Sequence, residues 1–195
     1  MNGGKTGARS FVSRLRRDQR GVSALEFALM LPLLVLFIVG TIDVSRLILL
    51  TQKLQSAAFT LADLTARIDP RETNSIGNVF LAVDQVVKPF AFRSEGRTII
   101  TSVQSATADN VPTVAWQCAS AGGYAASSEI GRPANAARLP AGLDIRRGQT
   151  IIGAEVYFDF KPLFGIGLLS PRVIRQVAYA KPRLVELPGL ACPAT

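Results

Sequence analysis

The chain has 195 residues, 48% of them hydrophobic, with a mean hydropathy of +0.27, a formal charge of +8, two cysteines and no histidine. Without histidine, His-based acid–base catalysis is excluded and a conventional zinc site is hard to build, so no metal or cofactor is expected. The charge does not point to nucleic acid, because much of it is a short tail: residues 1–21 hold Lys5, Arg9, Arg14, Arg16, Arg17 and Arg20 against Asp18 alone. A basic tail beside an apolar block suits retention on an anionic cytoplasmic leaflet better than a nucleic-acid groove.

The apolar block is residues 27–42, FALMLPLLVLFIVGTI, which carry no charge. As a helix it spans about 24 Å, and its flanks bring it to the roughly 30 Å of a bilayer core. A segment this apolar on every face exceeds what one helix of a small domain can bury, so it is expected to be a membrane anchor over residues 22–50. No small-x-small site closes it as a cleavable secretory signal would require. The charge bias predicts residues 1–21 as a cytoplasmic leader and everything beyond about residue 50 on the far side. Asp43 and Arg46, one turn apart, are expected near the far interface, where Arg46 can extend its charge toward water. Pro32 lies inside the block and removes a donor from the helix ladder, which predicts a bend or local unwinding there.

Glu26 is the costly residue of this region. A carboxylate at that depth stays near the headgroups, is protonated or finds a positive partner. Cutting the chain after Gly21 would make Val22 a new N-terminus with Glu26 as its fifth residue. The amine of one subunit and Glu26 of a neighbour would then pair and set an axial register. Left uncut, Gly21 reads as a hinge and Glu26 as a headgroup-level carboxylate.

The stretch RGVSALEFALMLPLLVLFIVG resembles the N-terminus of type IV prepilins, and most closely the TadE-like pseudopilins of tight-adherence (Flp) pilus systems, with TadG-like proteins as relatives. Gly21 matches the family's cleavage glycine, Glu26 its fifth-position glutamate, Phe27 the aromatic after it, and Pro32 a frequent proline of the following helix. The resemblance implies a minor pilin that takes part in pilus assembly and is processed between Gly21 and Val22 by a prepilin peptidase at the bacterial inner membrane. Its implied partners are that membrane, other pilins or pseudopilins and the assembly machinery, with no nucleic acid. It also implies an α+β, pilin-like fold whose C-terminal domain is periplasmic.

Past the block, Leu54, Ala57, Ala58, Leu61, Leu64 or Thr65, and Ile68 recur at steps of three and four. They predict an amphipathic continuation of the same helix over 51–69. Residues 70–195 then form the outer domain. A short helix is expected in IGNVFLAVDQVVKPF, stopped at Pro89. RTIITSVQSAT, VPTVAWQC, QTIIGAEVYFDFKPLF and RVIRQVAYAKPRLVEL read as strands of a four-stranded antiparallel sheet that receives the apolar face of the long helix. Trp116 is expected as a core residue or an interface anchor, not a ligand site. Residues 119–148, rich in Ala, Gly, Ser and Pro, read as a loop facing partners. GIGLLSP contributes to an apolar tip, Leu163 through Leu169, that could rest against membrane or a neighbour, with core packing the safer assumption.

Cys118 and Cys192 form no metal-ligand spacing. In an oxidising compartment they would pair and tie the tail to the domain; otherwise they stay free thiols. No catalytic constellation stands out, since Asp144, Glu155 and Asp159 are scattered over loop and strand. The expectation is a structural assembly protein and not an enzyme. A permanently anchored envelope scaffold or adhesion accessory protein that keeps its leader is the alternative.

Overall fold

The computed structural model describes residues 20–68, 75–105, 111–165, 169–183 and 192. Nearly all of the expected leader, residues 1–21, therefore lies outside the described residues. The chain divides into two compact units, Met1–Val44 and Ser45–Thr195. One helix, α1 (Arg20–Ala66), supplies the described part of the first unit and the opening of the second.

Its many Leu and Ala residues make α1 a good helix former, and two of its hydroxyls are absorbed locally. The Thr41 and Thr51 hydroxyls donate to the carbonyls of Phe37 and Leu47, both at 2.8 Å, four residues back in each case. Of the bend or local unwinding expected at Pro32, the unwinding does not occur, and the residues on both sides stay helical. A single proline removes one rung of the ladder, and the rungs around it keep the segment helical. The helix ends at Ala66, short of the expected residue 69, because Arg67 and Ile68 turn inward through N–H bonds to Leu64 and Thr65 at 3.1 and 3.2 Å. These three-residue bonds tighten the last turn and end it. The Arg183 N–H donates to the Ala66 carbonyl at 2.9 Å, and the Arg183 guanidinium reaches Asp63 at 3.0 Å. Together these contacts tie the end of the helix to the segment that follows the last strand.

In the second unit α2 (Ser75–Val86) and a single turn α3 (Phe92–Glu95) lead into four strands: β1 (Gly96–Gln104), β2 (Thr113–Ala119), β3 (Thr150–Phe160) and β4 (Arg172–Ala180). All pair antiparallel in the order β2-β1-β3-β4. The architecture is α+β, as the hydrophobic periods predict.

The main core lies on one face of the sheet. Leu50, Leu54, Ala57, Ala58, Leu61 and Ala62 of α1, and Ile76, Val79 and Val83 of α2, share a cluster with Ile100, Ile152, Ala154, Val156 and Phe158 of the strands. Leu64, one of two alternatives at its step of the helical repeat, is exposed, whereas Thr65 is fully buried. Trp116 belongs to the same core. Arg46 lays its guanidinium over the Phe90 ring, 6.0 Å from the centroid, a cation–π contact in place of a reach toward water.

The second face is covered by the segment predicted to be a loop facing partners. Ile130, Ile145, Leu139 and Leu143 pack there with Val103, Val114 and Ile151. This is why β3 is buried along both faces instead of alternating. A bulge at Ser102/Val103 sets two residues of β2, Ala115 and Trp116, against one position of β1, so Val114 faces the loop layer while Trp116 faces the helices. The core packing expected of the Leu163–Leu169 tip holds for Leu169, but Leu163 and Phe164 are exposed, and residues 166–168 lie outside the described residues.

Candidate functional site

The residues singled out in the sequence occupy the start of α1. Gly21 and Val22 lie in its first turn, Glu26 and Phe27 one turn further, and Pro32 beyond them. Every position from 21 to 38 is exposed, including Val22 at 55% and Phe27 at 61%. The most apolar window of the helix has a mean hydropathy of 2.5 and none of it is buried, so α1 is long and apolar enough to cross a membrane. A soluble protein does not leave such a surface in water.

Gly21 has no packing reason to be glycine. A Cβ built there meets nothing within 4 Å among the described residues, and its backbone is helical, where glycine costs about 1 kcal/mol against alanine. Glu26 sits four residues after Val22, on the same face and about 6 Å further along the axis. Among the described residues no ion pair involves Glu26.

Cys118, buried on β2, is joined to Cys192 by a disulfide with a Cα–Cα distance of 5.4 Å. Among the described residues no group of three or more His, Cys, Asp or Glu stands together as a metal site would need.

One polar constellation was not foreseen. Glu155, assigned no role from the sequence, is fully buried on β3. Its Oε1 accepts from Arg175 Nη2 at 2.8 Å, from Arg175 Nε at 3.0 Å, from the Tyr157 hydroxyl at 2.8 Å and from the Glu129 N–H at 3.1 Å. Its Oε2 accepts from Ser128. Arg175 stands opposite Tyr157 across the β3–β4 ladder and so diagonal to Glu155, which is the spacing that long side chains bridge. Burial works against the charged guanidinium, but the hydrogen bond and charge of Glu155 outweigh it and raise the Arg175 pKa. Burial first, then the charge and hydrogen bond of Glu155, push the Tyr157 phenol far above its usual range, so it stays a donor. A buried charge satisfied on this many sides joins β3, β4 and the loop layer at one point. The available signal was a lone glutamate in the apolar run TIIGAEVYFDF, a position that demands a partner.

Compared with known proteins, residues 21–63 match the family model of TadE-like protein. No curated protein and no solved structure matches the chain. The matched segment is α1 almost from end to end, with Gly21 as its first residue. It is over this helix that the chain is similar to TadE-like proteins.

Proposed function

We propose that the chain is a minor pilin-like (pseudopilin) subunit that takes part in assembling a tight-adherence type IV pilus. α1 anchors it in the inner membrane as a single span, with the basic leader cytoplasmic and the sheet domain periplasmic. Its role is structural: α1 packs laterally against the helices of other pilins or pseudopilins, and the outer domain contacts the fibre or its assembly machinery. The observation that carries this reading is the exposed apolar surface of α1, which opens on Gly21 and Glu26. The disulfide at Cys118 suits an oxidising periplasm.

A prepilin peptidase would cut between Gly21 and Val22. The retained leader would set six basic side chains beside the helix surface that must pack, whereas removal frees an amine able to pair with Glu26 of a neighbouring subunit. Intact-mass analysis with N-terminal sequencing of the protein from native membranes tests this, and a chain beginning at Val22 is expected. A chain that keeps residues 1–21 overturns the processed-pilin reading in favour of a permanently anchored scaffold or adhesion accessory.

Gly21→Val is expected to give an uncut, membrane-bound and correctly folded protein, because a side chain at that position meets nothing. Glu26→Ala is expected to insert normally and to lower recovery of assembled pili. Unchanged rate and extent of assembly in that variant would refute the register role of the carboxylate.

A further inference from the structure

A second surface lies within the sheet domain, on the loop-covered face. A cavity of about 770 Å³ opens between the 128–140 segment and β4, and its polar lining includes Glu129, Arg132, Asn135, Arg138, Arg175 and Tyr179. Three arginines face one carboxylate. Arg175 is already engaged by Glu155 and, at 3.4 Å, by Glu129. Arg132 and Arg138 are exposed, and no ion pair involves either among the described residues.

The wall that carries these two arginines is held in place. The Ala134 N–H donates to the Val114 carbonyl at 2.9 Å, the Val114 N–H to the Asn135 carbonyl at 2.9 Å, the Ala137 N–H to the Pro112 carbonyl at 2.8 Å, and the Arg138 N–H to the Ile130 carbonyl at 2.7 Å. Ala134 itself is held at φ 66°, a left-handed conformation that alanine rarely adopts. A strained residue kept by four flanking bonds marks a turn whose shape is retained against its local preference. The opposite wall, β4, ends the sheet among the described residues, so alternate residues along it turn N–H and C=O groups outward to a position that no described strand fills.

We propose that this groove docks an extended, acidic segment of a partner protein. The segment adds as a strand along β4 and gives its carboxylates to Arg132 and Arg138. Glu129, loosely paired with Arg175 and with its side chain 66% exposed, shows that a carboxylate is accommodated at this end of the groove. Charge selects the acidic partner, and the chain's own basic excess disfavours a second copy. The free edge favours a peptide over a polyphosphate, which needs no strand partner.

The test uses the full chain in phosphatidylcholine nanodiscs and a fluorescein-labelled nonapeptide of alternating valine and glutamate. Saturable one-to-one binding is expected. Arg132→Glu combined with Arg138→Glu should weaken it at least tenfold, and Arg146→Glu combined with Arg147→Glu, exposed arginines outside the groove, should leave it unchanged. The same peptide N-methylated on alternate residues, which cannot pair with a strand edge, should also bind at least tenfold more weakly. The proposal is overturned by absence of binding, by equal loss in both arginine pairs, by equal binding of the methylated peptide, or by tighter binding of an oligothymidylate. The assay needs no pilus, so its failure is distinguishable from failure of the assembly reading.

Discussion

Glu155 shows what a single buried charge demands of its neighbours. Arg175, Tyr157, Ser128 and the Glu129 N–H all converge on it, and the tyrosine makes the network sensitive to alkali. Burial, followed by the effects of Glu155, raises the Tyr157 pKa, and burial raises that of Tyr179 as well. Phenols of the unfolded chain ionise near pH 10 whereas the folded ones resist. Their contribution to stability is therefore complete below about pH 10 and is lost as pH rises through the folded values. The guanidinium unfolding midpoint, followed through the fluorescence of Trp116, is expected to fall as pH rises above about 10. In Tyr157→Phe that fall should be shallower, while stability at neutral pH drops by about 1–2 kcal/mol for the lost buried hydrogen bond. An equally steep alkaline fall in the variant would remove Tyr157 as its source.

At the scale of elements, the strands and both helix stretches were legible because their hydrophobic periods are local. Leu54, Ala57, Ala58, Leu61 and Thr65 repeat on one face and are all buried. The loop layer was not legible, because Ile130 and Ile145 are single apolar residues in a segment too irregular to show a period. What seats the start of that layer is glycine: a Cβ on Gly123 would stand 1.9 Å from the Ser94 carbonyl oxygen, and one on Gly122 would stand 2.4 Å from that of Gly96. Backbone meets backbone there and no flexible side chain can give way. Gly123→Ala should cost about 1–3 kcal/mol in the same unfolding assay. A change below about 0.5 kcal/mol would mean that the loop layer shifts freely on the sheet.

At the scale of the whole molecule, the disulfide joins Cys118 of β2 to Cys192, 74 positions further along the chain. Closing so long a loop restricts the unfolded chain, a contribution of about 2–4 kcal/mol. Cys118→Ala combined with Cys192→Ala should lower stability by that amount, and reducing agent should do the same to the parent protein while leaving the double variant unchanged. The anchor is independent of this cross-link, so the reduced protein should still require detergent, and not salt, for extraction from membranes. Release by salt alone would contradict insertion of α1.

The sequence by itself determined the anchor, the α+β class and the TadE-like helix, because each rests on composition or on a repeat that spans a few residues. Gly21, Glu26, Phe27 and Pro32 stand out for the same reason: the resemblance they carry lies in their spacing along one helix. Tertiary structure alone decided which residues meet across distance. The diagonal of Glu155 and Arg175, the bulge that turns Trp116 to the helices, and the arginines gathered beside β4 all depend on strand register and on a loop folded over the sheet. Those follow from pairing between segments far apart in the chain, for which no local pattern carries a signal.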